Sequence, residues 1–190
     1  MHPFVTRIAL VTALALAATA CTGGTPTRGE SAVGGGDAAT DAATEPGWRS
    51  AQLTDVRSGE TFTIDGLEGK LVAIEPMATW CSNCRIQQRE VVTALAALAS
   101  DDLVFIGFDV DPNQPIDALA AYAEEQGFDW AFAVVSTDVA RSLAAEFGDL
   151  VLSPPSTPLL LLGPDGTVIE THFGIRKAAE LEALFRQHLP

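Results

Sequence analysis

Two cysteines three positions apart form the segment of this chain with the clearest chemical potential. Cys81 and Cys84 lie in Trp-Cys-Ser-Asn-Cys, where an apolar run ends and a helical pattern begins. The N-terminus of a helix carries unpaired backbone N–H groups and a partial positive charge, which stabilise a thiolate and lower its pKa. We therefore expect Cys81 to be the exposed nucleophile and Cys84, one turn further in, to be the resolving thiol that closes a disulfide with it.

The cysteine pair is also compatible with two other interpretations. A structural disulfide is tolerated in an exported protein, and a C-x-x-C can be half of a zinc site. The chain has no second C-x-x-C, and its histidines, His2, His172 and His188, are all remote in sequence. Redox chemistry is therefore the favoured interpretation, and we predict neither a metal site nor a cofactor.

The elements that must position the cysteines follow an α/β pattern from Trp48 onward, because apolar runs bounded by Gly or Pro alternate with helical spacing. A short hairpin over 50–56 and 61–65 should come first. The pattern then predicts a central mixed sheet with helices on both faces. We expect strands over 71–77, 103–109, 131–135, 158–162 and 167–173, and helices over 82–99, 116–126, 138–147 and 177–189.

The first 47 residues have the pattern of an export signal followed by a tether. The apolar run Ile8 to Ala20 spans thirteen residues. At about 1.5 Å per residue it is too short to cross a hydrocarbon layer of about 30 Å. Arg7 before it and small residues after it complete the three regions of a signal peptide. Residues 21–47 are almost wholly small or polar and predict a disordered tether, which leaves 48–190 as one domain.

The signal ends in Ala-Thr-Ala-Cys, which resembles the lipobox of bacterial lipoproteins. The resemblance implies that residues 1–20 are removed and that Cys21 becomes the lipidated first residue of the mature protein. Two acyl chains would hold the protein at a membrane surface. We therefore expect an extracytoplasmic protein anchored to the bacterial cell membrane, with a soluble secreted form as the alternative.

The charge of the predicted domain limits its partners. Residues 48–190 carry 21 acidic and 9 basic side chains, for a net charge of −12. An acidic surface repels the phosphate backbone of nucleic acid and an anionic membrane face. Neither is therefore expected as a binding partner of the domain.

Three motifs resemble those of the thioredoxin superfamily, and within it of TlpA-like and ResA-like membrane-tethered oxidoreductases. They are Met77-Ala-Thr-Trp-Cys, the Gly69-Lys-Leu-Val that leads into a strand, and Thr157-Pro158 followed by four leucines. The resemblance spans residues 48–190. It implies a thioredoxin-like fold and reduction of protein disulfides, with protein thiols as substrates and a membrane electron donor. The direction of transfer stays open, because Ser82-Asn83 and the thiolate environment set the potential, and a monomer is the default.

The same resemblance implies roles for four residues besides the cysteines. Pro158 takes the cis-proline position, which would set Thr157 beside Cys81 so that its backbone pairs with an incoming extended peptide, while the proline blocks metal capture. Glu75 stands where thioredoxins carry a buried acid that relays the proton of the resolving thiol, and burial would raise its pKa. A partly solvated glutamate at a sheet face is the alternative. Trp80 is implied to be a rim residue that contacts substrate.

Two rival functions remain as alternatives. Pro76, Thr79 and Cys81 are similar to the P-x-x-x-T-x-x-C of peroxiredoxins, although the spacing here is P-x-x-T-x-C. A copper-binding assembly lipoprotein of the SCO type would share the fold and the anchor. That family uses C-x-x-x-C-P and a distant histidine, whereas this chain has C-x-x-C followed by Arg85.

Overall fold

A five-stranded mixed sheet lies at the centre of residues 47–190, the part of the chain that the computed structural model describes. The strands are β1 (Leu53–Thr54), β2 (Thr61–Phe62), β3 (Leu71–Met77), β4 (Leu103–Asp109), β5 (Ala131–Val134), β6 (Leu159–Leu162) and β7 (Val168–His172). The helices are α1 (Ser82–Leu98), α2 (Ile116–Gln126), α3 (Thr137–Phe147) and α4 (Ala178–His188). The predicted α/β class and order of elements are confirmed.

The strand order in the sheet is β5-β4-β3-β6-β7. The pairs β3–β4 and β4–β5 are parallel, whereas β6 runs antiparallel to both β3 and β7. All seven residues of β3 are buried, as expected for a central strand covered on both faces. Pro76 lies within β3 and has no backbone N–H to donate. The pairing of β3 with β6 ends two residues earlier, at Ile74, so the proline removes no hydrogen bond between these two strands.

Helices cover both faces of the sheet, as predicted. Residues of α1, α2 and α4 share one core cluster with alternate residues of β3, including Ala73 and Met77. The opposite face packs against α3 and the segment that begins with Trp48. The cysteines and the helix that carries them belong to the first of these two cores.

Helix α1 is fixed to the segment that leads into α4. The Gln87 side chain accepts a hydrogen bond from Arg176 N at 2.6 Å, and Glu90 accepts one from Ala178 N at 2.9 Å. Lys177 also forms an ion pair with Glu90 at 3.0 Å. The helix that carries the cysteines is therefore fixed by polar contacts at Gln87 and Glu90 as well as by its burial.

The predicted N-terminal hairpin is present as β1 and β2, and its loop is attached to β5. Asp55 Oδ1 accepts from Phe132 N at 3.1 Å, and Val56 N donates to Phe132 O at 2.9 Å. The Arg57 guanidinium donates to the carbonyl oxygens of Phe128 and Trp130 at 2.9 and 2.7 Å. The hairpin is therefore tied to the sheet by backbone and side-chain hydrogen bonds.

The predicted signal peptide, Cys21 and most of the predicted tether lie outside the described residues. Within residues 47–190, no helix combines the length and the apolar character needed to cross a membrane.

Candidate active site

The two cysteines meet where β3 gives way to α1. Cys81 is the N-cap of the helix and has an extended backbone, while Cys84 lies in the first turn. A disulfide joins them, with their Cα atoms 5.4 Å apart. Cys84 N donates to Cys81 Sγ at 3.1 Å. A helix N–H therefore points at the sulfur expected to carry the thiolate, as the sequence predicted for this position.

The exposure of Cys81 differs from the expectation. We expected an exposed nucleophile, but the residue is only 2% exposed in this disulfide form, and Cys84 is completely buried. The physical reason is that the Cys81 sulfur is turned inward, towards Cys84 and its backbone N–H. The predicted order of depth, with Cys84 the deeper of the two, does hold.

The segment before β6 lies against the start of α1. Asn83 Nδ2 donates to Pro155 O at 2.9 Å, and Cys84 Sγ lies 3.3 Å from Pro154 O. Because β6 runs back along β3 with Leu160 opposite Ile74, its beginning lies at the cysteine end of the sheet. Pro158 is buried at this beginning, as its predicted role requires. The cis state of its peptide bond stays a prediction.

Thr157 precedes Pro158 in a tight turn, and its role in pairing with a peptide stays a prediction. It is buried, and its φ of 45° lies in the left-handed region, which is costly for a β-branched residue. Its N–H donates to Pro154 O at 2.8 Å. Since this donor is already used, pairing of the Thr157 N–H with a client peptide would require the 154–157 turn to open.

Trp80 lies at the rim of the site, as predicted, with 59% of its surface exposed. Its indole Nε1 donates to Asp111 Oδ2 at 2.9 Å. The preceding residue, Thr79, donates through its hydroxyl to Gln114 Oε1 at 2.7 Å. The loop after β4 therefore holds the two residues that precede Cys81.

Asp109 ends β4 and is completely buried beside the same loop. Its Oδ1 accepts from Asp111 N at 2.9 Å, and Oδ2 has no partner among the described residues. Burial raises the pKa of Asp109 to about 6, against the hydrogen bond from the Asp111 backbone and the nearby Thr79 backbone, and the Asp111 charge adds to the rise. This carboxyl therefore titrates at mildly acidic pH next to the cysteine loop.

Glu75 is completely buried within β3, so the structure supports the buried position and not the partly solvated one. Burial raises the pKa of Glu75 well above its usual value, and the Gln88 amide acts in the opposite direction. Neither carboxyl oxygen has a hydrogen-bond partner of normal geometry among the described residues. Glu75 lies on the same face of β3 as Ala73 and Met77. The core cluster that contains those two residues also contains Cys84. A carboxyl in this environment keeps its proton to a higher pH than an exposed glutamate does.

Three residues that shape the site, Gln88, Tyr122 and Asp109, were not predicted. For Gln88 the sequence held a signal, because Cys84, Gln88 and Val91 recur at helical spacing and so share one helix face. The structure shows that all three are buried. For Tyr122 the apolar face of α2 indicates burial, but periodicity within one helix cannot show which side chain of another helix it meets.

Solved structures share this architecture, although no protein-family model and no curated protein matches the sequence. A thioredoxin-family thiol:disulfide interchange protein from Chlorobium tepidum has a TM-score of 0.62 at 20% identity, covering 74% of this chain and 93% of its own. A secreted Mycobacterium tuberculosis disulfide oxidoreductase homologous to E. coli DsbE has a TM-score of 0.56 at 16% identity, covering 72% and 95%. BsSco, of the Sco family of cytochrome c oxidase assembly proteins, has a TM-score of 0.59 at 18% identity, covering 73% and 90%.

These likenesses show that the described domain has the thioredoxin-like fold, as the sequence motifs implied. Fold and site together define a thioredoxin-fold protein with a C-x-x-C disulfide at the N-terminus of its first helix.

Proposed function

We propose that this protein is an extracytoplasmic thiol-disulfide oxidoreductase that acts on protein thiols and disulfides through Cys81 and Cys84. The observation that carries the proposal is the position of the pair, with Cys81 capping α1 and accepting a hydrogen bond from Cys84 N. The same donor would stabilise a Cys81 thiolate in the reduced protein.

The reaction in the reducing direction has two steps. The Cys81 thiolate attacks one sulfur of a client disulfide, forming a mixed disulfide and releasing the first client thiolate. Cys84 then loses its proton and attacks Cys81 Sγ, which releases the second client thiolate and leaves the Cys81–Cys84 disulfide. Two electrons pass from the pair to the client, and a membrane electron donor would have to return two electrons while Cys84 regains the one proton that it lost.

Glu75 is proposed to accept the proton of Cys84 in the second step. The thiol lies deep in the core that Glu75 also faces, where water cannot easily take the proton. The raised pKa of Glu75 favours this role, because it makes the carboxylate a stronger base than an exposed glutamate.

A reducing role is the favoured direction because the sequence motifs are those of the TlpA-like and ResA-like proteins. Equilibration of the full-length protein with a series of glutathione redox buffers measures the potential of the pair. A strongly reducing potential is expected. A potential near that of a protein oxidant would reverse the proposed direction without removing the exchange activity.

Anchoring through Cys21 is part of the proposal and is supported by the sequence alone. The expressed wild-type protein is expected to partition into detergent and Cys21→Ser into the aqueous phase. Equal membrane association of both forms would refute the lipid anchor.

A trapping experiment tests the exchange activity. With Cys84→Ser, the mixed disulfide cannot be resolved, so client proteins should accumulate on Cys81 and be identified by mass. Cys81→Ser is the matched control and should trap few or none. Peroxide consumption that survives Cys84→Ser would favour the peroxiredoxin alternative, and tight copper binding by the reduced protein would favour the SCO-type alternative.

A further inference from the structure

Buried polar side chains connect α1 and α2 beside Glu75. Gln88 is completely buried and Tyr122 nearly so. Tyr122 Oη donates to Gln88 Oε1 at 2.5 Å. Burial of polar groups in an apolar core is costly unless they are hydrogen-bonded, and neither residue takes part in the exchange steps described above.

The direction of this hydrogen bond follows from the protonation state of Tyr122. Burial raises the pKa of Tyr122 to about 12, so the phenol stays protonated. It donates this proton to the Gln88 carbonyl oxygen. This leaves the Gln88 amide N–H groups turned away from Tyr122.

Gln88 and Glu75 face the same core, because Gln88 lies between Cys84 and Val91 on the buried face of α1, and those two residues cluster with the face of β3 that carries Glu75. Gln88 Nε2 is buried and has no acceptor among the described residues, and both Glu75 oxygens are buried without a donor. The Gln88 amide acts to lower the pKa of Glu75, although the two groups do not close a hydrogen bond of normal geometry. A neutral Glu75 carboxyl loses little without a hydrogen bond from Gln88 Nε2, whereas a Glu75 carboxylate would be strongly stabilised by that hydrogen bond.

We propose that Gln88, oriented by Tyr122, is the positioning residue that sets the pH at which Glu75 gives up and takes back its proton. The inference deepens the proposed function and rests on the role of Glu75 in that function. The charged and titratable groups around Tyr122 and Glu75 are Arg85 and Arg89 from α1, Tyr122 itself from α2, and the buried Asp109, two residues beyond Gly107 on β4. Strand β4 places Gly107 opposite Glu75, and β6 presents only leucines.

The test is a direct titration of Glu75 in the oxidised full-length protein. Glutamate labelled with ¹³C at the side-chain carboxyl is followed by NMR from pH 4 to 10, and Glu75→Gln assigns the signal. Gln88→Met keeps the length of the side chain and removes the donor, and it should raise the Glu75 midpoint by about one pH unit. Tyr122→Phe keeps the ring but releases the amide, and it should shift the midpoint in the same direction by less.

Gln87→Met, the same substitution one residue away, is the matched control. It removes the contacts to Arg176 and should leave the Glu75 midpoint unchanged. The pH profile of thiol exchange should move with the midpoint in Gln88→Met, and Gln88→Met should add nothing in a Glu75→Gln background.

An unchanged midpoint in both Gln88→Met and Tyr122→Phe overturns the inference, as does an equal shift in Gln87→Met. If Gln88→Met fails to fold, Tyr122→Phe decides alone, because it retains the aromatic packing. The NMR titration does not depend on activity. A wild-type protein without thiol exchange would therefore refute the proposed function while the midpoints still decide the role of Gln88.

Discussion

The Trp80 indole donates a hydrogen bond to the Asp111 carboxylate at 2.9 Å, and this bond joins the loops that follow two neighbouring parallel strands. Asp111 belongs to the loop after β4, and Trp80 directly precedes Cys81 at the end of β3. An exposed aromatic side chain beside the cysteines is thereby held in one orientation. The orientation that Trp80 would present to a client protein therefore depends on the Asp111 carboxylate.

Asp111→Ala should weaken client binding more than it slows the chemical steps. Loss of the acceptor frees the indole, so KM for a protein client should rise about 3- to 10-fold at nearly constant kcat, as expected for one hydrogen bond. Asp111→Asn keeps an acceptor and should restore most of the loss. Asp101→Ala removes an exposed carboxylate remote from the loop and serves as the control. An equal effect of Asp101→Ala would show that net charge, and not Trp80, is responsible.

Glu75→Gln should slow exchange by at least about 10-fold and flatten its pH profile, because an amide cannot take the Cys84 proton. The fold should be retained. Since the folded pKa of Glu75 is raised, the wild-type protein loses stability as pH rises through that pKa, and the variant does not. Melting temperatures and exchange rates are measured over the same pH range. An unaltered rate profile would mean that Glu75 has only a structural role.

Asp109→Asn should remove a second contribution to the pH dependence of the protein's stability. The folded pKa of about 6 exceeds the ordinary 3.8, so the stabilising contribution of the protonated carboxyl is complete below about 3.8 and is lost as pH rises through 6. The variant keeps the Oδ1 acceptor and should be more stable than wild type by up to about 3 kcal/mol at pH 7 to 8. At pH 4 the two should be nearly equal. Parallel stability curves between pH 4 and 7 would contradict this assignment.

Gly107→Ala should destabilise the domain by about 1 to 3 kcal/mol, because the space above this glycine is occupied. An added Cβ would lie 2.4 Å from two atoms of the Phe132 ring. At Gly47 an added Cβ would make only an ordinary contact, at 3.7 Å, so Gly47→Ala is the control. Chemical denaturation measures both. A stability loss no larger than that of the control would show that the ring can move aside freely.

The sequence predicted the elements of the fold well because their signals are local. The apolar run of β3 and the Pro115 and Gly127 that flank α2 each report on their own neighbourhood, and the structure places all three as expected. The cysteine pair and Trp80 were likewise visible as a short motif.

What the sequence could not show depends on contacts between distant segments. Gln88 and Tyr122 are 34 positions apart, and their meeting depends on how α1 and α2 pack. The left-handed backbone of Thr157 arises from the turn that Pro154 begins, which no preference of threonine would indicate. The burial of Cys81 likewise depends on how the segment before β6 packs against the start of α1.

The attachment of the hairpin loop to β5 has a consequence for self-association. An open sheet has two outer strands whose free backbone groups invite another extended chain. Here Asp55 and Val56 occupy the backbone of Phe132 on one outer strand. On the other, β7 carries Glu170, which is bound by Arg176. One outer strand is thus partly covered and the other carries an ion pair, and both features disfavour strand addition by a second copy of the chain.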